Sequence, residues 1–335
     1  MSILLSKYQE NIFTFFIDIQ AIHLYNEFEF QIQIHGGPAM RRILPVLLAI
    51  LLVFSGCGMQ NTDKKDDDKL KITATIFPQY DFLREITKGA QNIELKLLIP
   101  AGKEVHGFET ALSDISAVSE SDLFVYTGSE DDNWVNDIPE NGNKRLALCE
   151  IIKDYKDEHV WTSLRNAVVI VESLCNTLCE IDKTNAQLYK DNTALYIEKL
   201  NSLDKEFEAV INKSDTKALV FAERFPFLNF AKDYGLNYYS AFEGCSTETE
   251  AGIKTINFLI EKVKEENIPA IFTIEFSDGT VAETISRETG AEILQFHSCH
   301  NVTEEEFQNG ETYLSLMTKN LYNLKTALLS NATGE

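Results

Sequence analysis

Lys71-Ile72-Thr73-Ala74-Thr75-Ile76-Phe77 followed by Gln79–Thr87 and Ile93–Ile99 is the stretch that decides the fold. Its first and third pieces are β-branched and apolar, which suits strands. The middle piece has the spacing of a short helix. The same alternation continues with a helix over Asp114–Ser119 and a strand over Asp122–Tyr126. Alternating strands and helices predict parallel sheets with helices packed on them.

Outward from this block the pattern stops and then resumes. Ala167–Glu180 reads as an amphipathic helix. A second helix, capped by Thr184 and Asn185, runs from Ala186 to about Ile211, with Tyr189, Leu195, Tyr196, Leu200, Leu203, Phe207 and Val210 at near-helical spacing. Its length, roughly 35–40 Å at 1.5 Å per residue, suits a rigid backbone between two lobes. Beyond it, strands are expected at Ala218–Phe221, Leu236–Ser240, Ala270–Ile274 and Glu292–Phe296. Helices are expected at Phe227–Tyr234, Glu250–Glu266, Thr280–Thr289 and Thr312–Leu329. The two halves look alike.

The N-terminal part is of another kind. Arg41-Arg42, the apolar run Ile43–Phe54 and Ser55-Gly56-Cys57 make a signal peptide that resembles a bacterial lipobox. Cys57 is then the expected lipidation site. The apolar run is too short for an ordinary transmembrane helix. Met40 directly precedes the charged pair, so residues 1–39 are expected to be a spurious upstream extension, with the signal at 40–56. Residues 57–69, rich in Asp and Lys, form an expected flexible tether. Lobes are expected at 70–185 and 214–330, with the linking helix at 186–213.

The chain has 30 basic and 52 acidic side chains, a net charge of −22. Nucleic acid is a poor partner for such a surface; a cation is compatible. Downstream of the signal the histidines are His106, His159, His297 and His300. Each stands in a short polar segment beside a strand-like run, not on an apolar helix face. Neutral imidazole is a ligand for zinc and similar metals. Surface loop histidines are the plainer alternative. Cys175 and Cys179 are expected as buried free thiols, and Cys245 with Cys299 as a disulfide that ties two loops.

Leu98-Ile99-Pro100-Ala101-Gly102-Lys103-Glu104-Val105-His106-Gly107-Phe108-Glu109 resembles the signature of the substrate-binding lipoproteins of zinc and manganese ABC importers. Asp157-Glu158-His159-Val160-Trp161, Lys232-Asp233-Tyr234-Gly235-Leu236 and Phe272-Thr273-Ile274-Glu275 are similar to further blocks of that family, and the likeness covers about 70–330. It implies two Rossmann-like α/β lobes with parallel sheets, joined by a long backbone helix. A metal ion would sit between the lobes, with His106 and His159 as ligands of the first lobe. His297 falls where the family has aspartate. Arg224 falls where it has histidine or glutamate, and a guanidinium cannot ligate a cation. Glu223 is therefore the expected fourth ligand, with Glu275 and His300 as alternatives. Arg224 would be held by a carboxylate such as Glu275 or Glu243.

The resemblance further implies a monomer outside the cytoplasm, held to the membrane by lipid. Its partners would be an ABC permease and its ATPase. The transported ligand would be Zn2+, with Mn2+ the alternative. No nucleophilic triad or phosphate loop is visible. A metal-dependent hydrolase using Arg224 and an adhesin with a decayed site are the other classes considered.

Overall fold

The computed structural model of the protein describes residues 69–139, 141–244 and 251–329. The signal, Cys57, the tether, the upstream extension and Cys245 lie outside the described residues.

The first lobe is built on a four-stranded parallel sheet of β1 (Leu70–Ala74), β2 (Ile93–Leu97), β3 (Leu123–Tyr126) and β4 (Lys144–Ala147), in the order β2-β1-β3-β4. Its helices are α1 (Phe77–Ile86), α2 (Leu112–Glu120), α3 (Leu148–Ile151) and α4 (Leu164–Ile181). Then α5 (Ala186–Lys213) crosses to the second lobe. There β5 (Ala218–Phe225), β6 (Asn237–Glu243), β7 (Ala270–Thr273) and β8 (Glu292–Gln295) pair in parallel in the order β6-β5-β7-β8. Their helices are α6 (Leu228–Tyr234), α7 (Ile253–Glu265), α8 (Thr280–Thr289), α9 (Glu304–Gln308) and α10 (Tyr313–Leu329). The expected α/β class with two like lobes is the architecture found. Each sheet reverses strand order beside its first strand, and in such sheets ligands bind beyond the carboxyl ends of the strands at that point.

Boundaries differ from expectation for local reasons. The strand expected to reach Phe77 ends at Ala74, because Pro78 opens α1 and the Gln79 Oε1 accepts the N–H groups of Thr75 (3.0 Å) and Ile76 (3.1 Å). The strand expected to stop at Phe221 runs on to Phe225, through a register shift between Phe221 and Arg224. Gly235 and Gly290 end α6 and α8 at φ of 63° and 79°, conformations that cost a side chain about 1–2 kcal/mol.

With 28 residues α5 is about 42 Å long. Its N-terminal half holds the first lobe: Asn192 Nδ2 donates to the carbonyls of Ile86 and Lys88, both at 2.9 Å, and the Tyr196 ring lies 6.3 Å from Phe82. Its C-terminal half holds the second lobe. Phe207 packs edge-on to Phe230 at 5.2 Å, and the Tyr234 hydroxyl donates to Asp204 at 2.6 Å. The closing helix α10 returns to the first lobe. Its Tyr313 N–H donates to the buried Asp81 carboxylate (2.6 Å), its hydroxyl to the Trp161 carbonyl (2.6 Å), and Arg84 bridges Asp81 and the Glu311 carbonyl. One apolar core therefore runs from Ile72 and Phe82 through Phe207 to Phe272 and Met317.

Among the described residues no helix is long and apolar enough to cross a membrane. Cys149, Cys175, Cys179 and Cys299 are free thiols, Cys175 and Cys299 buried. The Cys299 sulfur is enclosed against the His297 carbonyl at 3.9 Å, and the pairing expected for it with Cys245 falls outside the described residues.

Phe207 is fully buried between the bridging helix and α6. Replacing it by alanine should cost about 3–5 kcal/mol. Guanidinium unfolding should show one transition at a lower midpoint. An unchanged midpoint would show that the bridge does not hold the second lobe.

Candidate metal centre

Three imidazoles meet between the lobes. The nitrogen donors of His106, His159 and His300 lie within 4.8 Å of one another. Ring centroids are 4.7 Å apart for His106 and His300, 5.0 Å for His159 and His300, and 6.3 Å for His106 and His159. Nitrogens on one tetrahedral zinc lie about 3.4 Å apart, so a small inward movement of the rings would meet an ion.

Each ring comes from a loop beyond the carboxyl end of a sheet. His106 follows β2, His159 follows α3 and His300 follows β8. The loops are hydrogen-bonded to one another across the lobes. Buried Asn301 donates to the carbonyls of Pro100 (2.8 Å) and Lys103 (2.9 Å), which holds the His106 loop. Gly102, at φ 79°, donates to the Val302 carbonyl at 2.7 Å; a Cβ there would stand 3.0 Å from Glu304. Asn229 on α6 donates to Asp157 at 2.8 Å and accepts from Lys156 at 2.7 Å, which holds the His159 loop. Trp161 Nε1 donates to the Ser298 carbonyl at 2.9 Å.

Two tautomers follow from the carboxylates. His106 Nδ1 is 3.1 Å from Asp131, and His159 Nδ1 is 3.2 Å from Asp157. A proton on Nδ1 in each ring satisfies these contacts and puts the lone pair on Nε2, as metal-binding histidines require. His300 is held differently. Its backbone N–H donates to Glu275 at 3.2 Å, and its ring stacks obliquely on Trp161 at 5.0 Å. Desolvation first, then His159, His106 and Arg224, push its pKa well below the ordinary value. The ring is neutral and able to donate a lone pair.

His297 stands apart from this cluster. Asn320 on α10 grips its backbone, accepting from its N–H and donating to its carbonyl, both at 2.7 Å. The Cys299 N–H donates to His297 Nδ1 at 2.8 Å, which Cys299 achieves by adopting φ 62°. The proton therefore sits on Nε2, facing Glu306 at 3.8 Å. Burial opposes a charge on this ring, yet Glu275 and Glu306 raise its pKa. Contact with His297 holds the Glu306 carboxyl down, to about 2. With one nitrogen accepting and the other protonated, His297 has no lone pair for an ion. The ring that lies with His106 and His159, where His297 was expected, is that of His300, three residues on.

The carboxylates also fall differently from expectation. Glu223 is not among the donors that converge on the rings. Burial raises its pKa to about 7, and its carboxylate takes the Ile274 N–H. Glu275 lines the cleft but is already engaged: it accepts from the Ser298 N–H at 2.8 Å, from the Ser298 hydroxyl and from the His300 N–H. Arg224 lines the cleft too, 4.0 Å from Glu104 of the first lobe rather than against Glu275. The Glu243 side chain lies outside the described residues. Asn301 and Asn229 were not singled out from sequence, since an asparagine in a loop carries no sign of which carbonyl it will reach.

A cavity of about 30 Å³ is lined by Glu104, His106, His159, Arg224, Glu275 and His300. A larger one, about 290 Å³, adjoins it at His106 and His300 and is lined further by Phe108, Asp131, Trp134 and Glu158.

Two like parallel sheets joined by one backbone helix, with imidazoles from both lobes meeting in the cleft, define a two-lobed solute-binding protein. Residues 72–327 match the family described as zinc-uptake complex component A, periplasmic, and the chain belongs to that family. It is 28% identical over 311 residues to the high-affinity zinc uptake system protein ZnuA of Bacillus subtilis, covering 85% of this chain and 96% of that protein. It is 30% identical over 307 residues to the zinc-binding lipoprotein AdcA of Streptococcus pneumoniae, covering 84% of this chain and 60% of that one. The chain thus spans about three fifths of the length of the AdcA relatives it matches. The Zn(II)-bound ZnuA-like domain of S. pneumoniae AdcA superposes with a TM-score of 0.67 at 29% identity, covering 78% of this chain and 99% of that domain.

Asp157 orients His159 and is itself held by Asn229. Asp157→Ala should weaken metal binding about tenfold to a hundredfold, the usual effect of losing such a partner. Competition with a chromophoric chelator measures it; an affinity equal to wild type would show that the carboxylate does not set the ring.

Proposed function

We propose that this chain is the solute-binding component of a zinc importer. It captures one Zn2+ with His106, His159 and His300 and presents it to an ABC permease and its ATPase. The observation that carries this reading is the convergence of three imidazoles, drawn from both lobes, to within 4.8 Å. Imidazole is a borderline donor. It suits zinc, whereas manganese prefers oxygen donors, so zinc is the favoured cargo. The names of the relatives point the same way. The function is binding and release rather than turnover, as befits a family of transport components.

The expected test compares single variants. His106→Ala and His300→Ala should each lower zinc affinity by about two orders of magnitude or more, while His297→Ala stays far closer to wild type. Isothermal titration at one ion per chain reads this directly. The reverse order of His300 and His297 would overturn the ligand set. The ion competes with protons for imidazole, whose ordinary pKa is about 6.5. The protonated state cannot ligate, so affinity should fall as pH goes from about 7 to 5. A flat profile would mean that carboxylates carry the ion.

We also propose that Cys57 carries a lipid that holds the protein at the outer face of the cell membrane. The signal-like segment before it supports this. In fractionated cells, Cys57→Ser should move the protein from the membrane to the soluble fraction or leave it unprocessed. A wild-type protein found wholly soluble would remove the anchor.

A further inference from the structure

Arg224 is out of place in a site for a dication. It belongs to the last stretch of β5, its side chain is 20% exposed, and it lines the same small cavity as the three imidazoles. A guanidinium carries five N–H donors and no lone pair. Among the described residues its one ion-pair contact is Glu104, at 4.0 Å, beyond hydrogen-bond reach. The same Glu104 oxygen already accepts the N–H groups of Val105 (3.1 Å) and His106 (3.3 Å). The donors of Arg224 therefore have no acceptor among the described residues.

Charge and coordination point to the same gap. Three neutral imidazoles leave a dication its full charge and a fourth position to fill. Glu275 is committed to the Ser298 and His300 backbone. Asp131 and Asp157 are engaged with the rings of His106 and His159, and Arg224 is the one cation among the described residues lining the small cavity. Planar two-oxygen anions match the guanidinium fork, which pairs with both oxygens or lends one to a neighbour. The cavity of about 30 Å³ at Arg224 adjoins the one of about 290 Å³ at His106 and His300, so a small anion has room beside the rings.

We propose that the cleft takes the metal together with a small planar oxyanion of the carboxylate or bicarbonate type. One oxygen fills the fourth position on the metal and the other is held by Arg224. The bound species is then a ternary complex, and Arg224 is the residue that selects its anion. This rests on the three-imidazole reading above.

Cobalt(II) is the probe, because its visible bands report the fourth donor. The full chain is titrated with cobalt(II) in sodium formate, in sodium bicarbonate and in sodium perchlorate at equal ionic strength. Formate or bicarbonate should shift the bands and tighten binding about tenfold relative to perchlorate. Arg224→Gln should still bind one cobalt in perchlorate and lose both effects. Arg224→Lys keeps the charge without the fork and should retain only a small part of them. Should the Gln variant fail to fold, the Lys variant carries the comparison. A wild-type spectrum and affinity that are the same in all three salts would overturn the proposal, as would a full anion effect in both variants. Failure of the wild type to bind one cobalt, or undiminished binding by His106→Ala, would instead remove the three-imidazole site itself.

Discussion

The buried Glu275 carboxylate is the contact on which the cleft depends. It is 6% exposed and accepts from Ser298 twice and from the His300 N–H. A carboxylate can be buried only when its lone pairs are met, so the segment 298–300 cannot drift without exposing an unpaired charge. That segment in turn receives Trp161 from the first lobe, and the adjoining Asn301 donates to the carbonyls of Pro100 and Lys103. Both first-lobe imidazoles thus take their places relative to a loop of the second lobe. The site is a consequence of docking between lobes, and neither lobe contains it alone.

The apolar core explains why such docking holds. Because α5 packs on α1, α4 and α10, and α10 packs on α1 and on β7 and β8, one hydrophobic cluster spans the molecule. Opening the cleft widely would part rings such as Phe82 and Tyr313, 4.8 Å apart, or strip Asp81 of the Tyr313 N–H. Burial already raises the Asp81 carboxyl to about 6, so its ionised form is tolerated only through Arg84 and that N–H. Exchange of cargo is then best served by small movements of loops at the strand ends, such as that of Glu104–His106, against a rigid body.

The fold was legible because its signal is periodic. Strands of apolar residues alternate with helices ended by Gly235 and Gly290, and α5 announced itself by regular apolar spacing. The edge strand β4 was not legible: Lys-Arg-Leu-Ala over 144–147 is short and half charged. Helix α9 left a sign that went unread, the Thr303/Glu306 capping box. At the site, His106 and His159 were marked by their sequence context, but position alone favoured His297 over His300, whereas the ring that lies with the other two is His300. That choice depends on Cys299 turning into the left-handed region and on Asn320, more than 20 residues away on α10, gripping His297. Glu223 lies apart from the three rings for a related reason. The strand expected to end before it continues to Phe225, and Arg224 rather than Glu223 lines the cleft.

Donor chemistry and charge together limit what such a cleft can hold. Three imidazoles oriented by Asp131, Asp157 and the Glu275 loop give a neutral donor set whose selectivity comes from softness. Asp131 and Asp157 orient their rings without occupying the ion. A hard cation that needs several oxygens finds Glu275 already spent on backbone donors. At the proposed site a borderline ion finds three nitrogens within 4.8 Å of one another, an inward movement away from tetrahedral spacing. The guanidinium of Arg224 adds a positive charge that a bare dication must overcome, and an accompanying anion removes that repulsion. At the proposed three-imidazole site, a guanidinium in the lining favours a metal that still has a coordination position to share.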